Sequence, residues 1–97
     1  MCRNIKTLHH FAPPATSDEV QASALQYVRK LSGMRVPSKK NEKVFNDTVA
    51  EIAHLTRHLL ESLEAPNTPP RTREEEQRKA RERGQQRDAQ VLKRLGR

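Results

Sequence analysis

The stretch Ser38–Glu64, SKKNEKVFNDTVAEIAHLTRHLLESLE, decides the architecture, because it holds most of the chain's large apolar residues. Within it Val44, Phe45, Val49, Ile52, Ala53, Leu55, Leu59, Leu60 and Leu63 recur at three- and four-residue steps. At about 100° per residue, Phe45, Val49, Ile52, Leu59 and Leu63 fall along one line of a helix. Val44 and Leu55 widen that stripe on one side and Leu60 on the other, to about 160°, where a surface helix needs about 100°. A face that wide meets more than one neighbour. Asp47, Glu51, His54, His58 and Glu61 occupy the opposite side. Pro37 favours an extended entry, Ser38 is the expected N-cap, and Ala65-Pro66 closes the helix, since proline donates no hydrogen bond and restrains the residue before it.

Upstream, Thr16-Ser17-Asp18-Glu19 forms a capping box, with Thr16 as N-cap and Glu19 reaching back to it. It opens a first helix over about 17–32, with Val20, Ala24, Tyr27, Val28 and Leu31 on one face. Gly33 fits the left-handed position that ends a helix, with Met34 folding back on Val28 in a Schellman-type closure. The short connection Met34–Pro37 makes the two helices a packed hairpin. Residues 1–15 form an arm in which Ile5, Leu8 and Phe11 are free to pack, and Pro13-Pro14 gives it an extended exit. The width left on the central helix receives that arm or a second chain.

Downstream, Pro66, Pro69 and Pro70 make a linker. Thr72 and Glu75 then repeat the capping-box spacing, and Glu74 to Arg78, Glu75 to Lys79 and Gln77 to Arg81 stand at i,i+4, which supports a solvated helix. Gly84 weakens it by about 1 kcal/mol relative to alanine. Val91, Leu92 and Leu95 alone offer it an apolar contact, so it is expected to be a marginal helix that orders fully on a partner. The expected organisation is all-α: arm 1–15, helical hairpin 16–65, proline linker 66–71 and basic helical tail 72–97.

The 97 residues are 33% hydrophobic and 3% aromatic, enough for one domain with a thin core. The net charge of +7 is uneven. Residues 1–70 carry nine Lys/Arg and seven Asp/Glu, whereas residues 71–97 carry ten and five, so +5 of it lies in the tail. One cysteine permits no internal disulfide, no apolar run approaches the roughly 18–20 residues of a membrane span, and the opening hexapeptide lacks the apolar core of a secretory signal. The expected address is the cytoplasm.

Met1-Cys2-Arg3-Asn4-Ile5-Lys6-Thr7-Leu8, Pro13-Pro14-Ala15-Thr16, Val28-Arg29-Lys30-Leu31-Ser32-Gly33 and Pro37-Ser38 resemble a bacterial domain-of-unknown-function family, number 2277. The resemblance covers residues 1 to about 63. Members of that family often carry Asn at the position of His10 and lack a pair matching His54 and His58. The resemblance implies no activity, cofactor or catalytic residue.

The basic residues suggest a partner. Arg29, Lys30, Arg35, Lys39, Lys40 and Lys43 gather at one end of the expected hairpin, where Arg3 and Lys6 are also placed to join. Arg29 and Lys30 suit a helix C-terminus, but Lys39 and Lys40 at an N-terminus oppose the helix dipole, which favours an anion-binding role. With Arg78, Lys79, Arg81 and Arg83 of the tail they suit an acidic partner, RNA or a ribonucleoprotein first. Lacking Trp and with Tyr27 as the single Tyr, the chain suits backbone contact better than base stacking. A homodimer closing a four-helix bundle through the wide central face is the alternative.

Chemistry finds less support. Removal of Met1 would leave Cys2 as an N-terminal thiol beside a free amine, able to chelate metal or act as a nucleophile, against the plainer reading of a small packed hydrophobe. His9 and His10, with His54 and His58 at i,i+4, add weak candidate metal ligands, without the Glu of a zincin helix or a Cys-x-x-Cys. No Gly-rich phosphate loop and no catalytic triad spacing is present, so a non-enzyme without a cofactor is expected, and no membrane contact.

Overall fold

The computed structural model describes residues 5–96, so Cys2 and Arg3, and any role for them, lie outside the described residues. The chain forms three α-helices: α1 (Ser17–Ser32), α2 (Glu42–Ser62) and α3 (Arg73–Leu95). No strand forms among the described residues, and the single bridge is a parallel one between Phe11 and Arg71. No described helix is long and apolar enough to cross a membrane.

The start of α1 is set by its capping box. Thr16 Oγ1 accepts the Glu19 N–H at 3.1 Å, and Glu19 Oε1 accepts the Thr16 N–H at 2.9 Å. At the other end Gly33 takes φ 70°, and its N–H returns to the Arg29 carbonyl at 3.0 Å. That single bond is the simple left-handed cap, in place of the expected Schellman closure, because the Met34 N–H goes to Ser32 Oγ at 3.1 Å. The Met34 side chain still packs on the core beside Val28.

The central helix begins later than its sequence suggests. Ser38 does not cap it; Lys39–Asn41 form a 3₁₀ turn, in which the Asn41 side-chain amide and backbone N–H bond to Ser38 Oγ and Ser38 O, both at 3.0 Å. The α-helix proper starts at Glu42 and ends at Ser62, with Leu63 already extended. The two ends of the helix pair are lined alternately: Ser17 and Val20 with Leu60 and Glu61 at one, Val28 and Ser32 with Asn41 and Phe45 at the other. The helices therefore run antiparallel.

Val20, Ala24 and Val28 of α1 and Phe45, Val49 and Ala53 of α2 form the buried core, joined at its edge by Leu8, Leu25, Met34, Ile52 and Leu60. The contact line on α2 is rotated from the expected one. It follows Phe45, Val49, Ala53 and Leu60, whereas Leu59 and Leu63 stay half exposed and Val44 and Leu55 more so. On α1, Tyr27 and Leu31 also remain exposed. Ala53, with no exposed surface, explains the rotation: a methyl side chain admits the closest approach of two helices, and the larger leucines are displaced to the flank.

α3 runs unbroken through Gly84 and packs on neither of the other helices. Thr72 Oγ1 caps it by accepting the Glu75 N–H at 3.2 Å, half of the expected box. The stabilising pairs differ from those the spacing suggests: Arg78 with Glu82 at 3.3 Å and Lys79 with Glu76 at 3.4 Å. A Cβ at Gly84 would meet only the tip of Arg87, at 4.0 Å. Gly84→Ala is therefore expected to stabilise α3 by about 1 kcal/mol, read as a stronger far-ultraviolet helical signal; no increase would mean that α3 is held by something other than its own propensity.

Candidate functional site

The most densely bonded polar site lies where the arm, the linker and the start of α1 meet. His10, at φ 63°, turns the arm so that its carbonyl accepts the Arg71 N–H at 2.8 Å, while the Ala12 N–H donates to the Arg71 carbonyl at 2.9 Å. The His10 ring donates from Nε2 to the Thr68 carbonyl at 2.7 Å, and Arg71 Nη1 donates to the His9 carbonyl at 2.6 Å. Beside this, the Arg73 guanidinium grips Glu19 with both oxygens, Nε to Oε2 at 2.9 Å and Nη2 to Oε1 at 2.7 Å. Its remaining donors reach the carbonyls of Pro13 and Pro14 at 2.8 and 3.1 Å, and it stands 5.3 Å over the Phe11 ring.

Prolines shape this clasp. Pro13 and Pro14 keep the arm extended, so that two consecutive carbonyls point at one guanidinium, whose planar fork suits such multiple acceptance. The hydrogen bonds from Arg73, and then from the Thr16 N–H, hold the Glu19 carboxyl at a pKa of about 2, down from 4.5. Glu19 in turn raises Arg73. A capping residue of α1 thus doubles as the anchor of α3. Sequence reasoning identifies the first role of Glu19 and misses the second, as it misses Arg71 and Arg73 altogether.

The basic candidates divide into two groups at opposite ends of the helix pair. At the end formed by the C-terminus of α1, Arg29, Lys30 and Arg35 line one shallow hollow with Gln26 and Gly33, and Arg29 Nε is turned onto the Arg35 carbonyl at 3.0 Å. Lys39 and Lys40 lie on the 3₁₀ turn at that same end. Lys43 is engaged with Asp47 at 2.7 Å, which raises its pKa. Lys6 does not join them; it lines a separate groove with Ser23, Tyr27 and Ile52.

The second group is on α3, which leaves from the Glu19 end. Of the tail candidates, Arg78 is tied to Glu82 and Lys79 to Glu76, and Arg81 and Arg83 have no ion pair among the described residues. The helix sorts them differently from the sequence run. Lys79, Arg83, Arg87, Lys93 and Arg94 fall within an arc of about 120°, with Gln86 and Gln90 between them, while Arg78 and Arg81 point elsewhere. From Lys79 to Arg94 that arc contains no carboxylate. Arg87, Lys93 and Arg94 are absent from the sequence candidates, although their spacing was the available signal.

His54 and His58 are both exposed on α2, and the His9 and His10 rings lie 6.1 Å apart with one His10 nitrogen engaged by Thr68. Among the described residues no three His, Cys, Asp or Glu side chains converge as a metal site would require.

Comparison with curated proteins and with solved structures gives no match. A family described as an uncharacterized conserved protein, DUF2277, matches residues 1–79, beyond the expected limit near 63 and far enough to include the linker, Arg71 and Arg73. On that match, covering most of the chain and both halves of its clasp, the protein belongs to the DUF2277 family.

Proposed function

We propose that this protein is a small, non-catalytic, cytoplasmic binding module whose α3 holds an acidic partner, RNA being the first such polymer to test. The observation that carries this reading is the basic arc of α3. Lys79, Arg83, Arg87, Lys93 and Arg94 stand on one face of a helix that packs on no other, spread over 15 residues or about 22 Å. Such a row matches the repeated charge of a phosphate backbone and carries little sequence information. The hollow of Arg29, Lys30 and Arg35 is a second contact at the far end of the helix pair.

The test is binding of an unstructured single-stranded RNA by the full chain at low and moderate salt. Five phosphate contacts, at about −0.7 per contact for single strands, weaken binding roughly 100-fold between about 50 and 200 mM salt. The triple substitution Arg83→Gln, Arg87→Gln, Arg94→Gln is expected to remove most of the affinity and flatten the salt slope by about two. Absence of binding at low salt, or binding that the triple variant leaves intact, would refute the assignment to α3.

A further inference from the structure

A hollow of about 440 Å³ opens between the arm, the start of α1 and the last turns of α2, a volume that small-ligand sites commonly have. Leu8 and Phe11 of the arm, Val20 of α1 and Leu60 of α2 form its apolar walls. Phe11 is steadied there by Arg73, which stands 5.3 Å from the ring centre. Apart from His9 and His10, Arg57 and Glu61 are the only ionisable side chains among its described lining residues.

These two charges behave unlike their counterparts. Three places in the described helices set a cation four residues before a carboxylate. Lys43 closes on Asp47 at 2.7 Å and Arg78 on Glu82 at 3.3 Å. Arg57 and Glu61 have the same order and spacing and both border the hollow, yet neither side chain has an ion pair or hydrogen bond among the described residues. Arg57 is also half-buried, whereas Lys43 is almost fully exposed. A partly desolvated guanidinium without an acceptor gains most from an anion brought to it.

We propose that this hollow binds a small apolar zwitterion, an α-amino acid with a branched or aromatic side chain such as leucine. Its carboxylate lies against the Arg57 fork, which suits two parallel hydrogen bonds, and its ammonium against Glu61. Its side chain rests on the apolar walls, out of water. Arg57 and Glu61 stand one turn apart on one side of α2, about 6 Å along the axis, so a ligand carrying both opposite charges on the same carbon atom bridges them. The same pair disfavours a phosphate, which would meet a single arginine with a carboxylate one turn away. The site is separate from the basic arc of α3 and does not depend on the acidic-partner reading.

The test is titration of the isotopically labelled full chain with L-leucine, followed by its amide resonances. Saturable shifts around Phe11, Val20 and Leu60, with a Kd of about 0.1–1 mM, are expected for an open site and a ligand of this size. Leucinamide, without the carboxylate, N-acetylleucine, without the ammonium, and glycine, without the apolar side chain, are each expected to bind about tenfold more weakly. Arg57→Gln and Glu61→Gln are expected to keep the helical signal, since neither side chain makes a hydrogen bond among the described residues. Each should lose about tenfold for leucine and erase one preference: Arg57→Gln should bind leucine no better than leucinamide, and Glu61→Gln no better than N-acetylleucine. No saturable shift up to about 20 mM leucine overturns the proposal. So do equal affinities for leucine and glycine, or variants that bind leucine as well as the wild type does.

Discussion

Phe45→Ala is expected to abolish the cooperative unfolding of the helix pair. Truncating a buried phenylalanine costs about 3–5 kcal/mol, from lost transfer energy and from the cavity left behind. Domains have about 5–15 kcal/mol in total, and one this small, with six buried side chains, belongs at the low end. Phe45 is the only aromatic of those six, and it fills the end of the core where Val28, Met34 and Thr48 converge. Neighbouring side chains have little freedom to collapse into the space, because two helices joined by a short connection cannot close further at that end. Urea titration followed by the helical signal checks this. A midpoint close to that of the wild type would mean that Phe45 does not hold the pair together. Leu31→Ala is the control: Leu31 lies on the same sequence stripe of α1 as Val28 but is 70% exposed, so its loss should stay within about 0.5 kcal/mol.

Glu19→Gln is expected to be the second largest loss, roughly 1–2 kcal/mol. Hydrogen bonds to charged groups contribute about 1.5–3 kcal/mol, reduced here because the pair is partly open to solvent. Glutamine keeps one acceptor for the Thr16 N–H or for Arg73 but not a charged grip on both. The same carboxylate makes the wild type acid-sensitive in a defined window. Above about pH 4.5 Glu19 is ionised folded or unfolded, and the clasp contributes in full. As pH falls below 4.5 the unfolded chain takes up a proton first, and the contribution shrinks until the folded carboxyl also protonates near 2. Stability should therefore decline between those values in the wild type and decline less in Glu19→Gln, by urea titrations at pH 7, 4 and 2.5. Parallel decline in both chains would remove Glu19 from the account.

The parts of the fold that were legible in the sequence are those specified within one turn of chain. Thr16, Glu19, Gly33 and the four-residue recurrence of Val20, Ala24 and Val28 fix α1 at both ends and on its buried face. The close of α2 before Pro66 was legible too, but its start at Glu42 was not, nor was its register, because periodicity counts Leu59 and Leu63 heavily and Ala53 hardly at all. Packing inverts that order when helices approach closely. The hairpin-end cations were legible as a local run, and Arg29, Lys30 and Arg35 do share one hollow. The sequence presents the tail's charge as the dense run 78–83, whereas a helix spreads that run around its circumference and selects Lys79 and Arg83 together with residues further on. The clasp was beyond reach for another reason. Glu19 and Arg73 are 54 residues apart, and nothing in either neighbourhood names the other.

That clasp has a mechanical consequence. A helix of 23 residues is a lever about 34 Å long, and a tilt of ten degrees at its base would carry its tip through about 6 Å. Arg73 is the first residue of that lever, and four acceptor oxygens and a ring fix it in place. Where Arg94 and Leu95 stand in space is thus decided at Pro13, Pro14 and Glu19, residues they never touch.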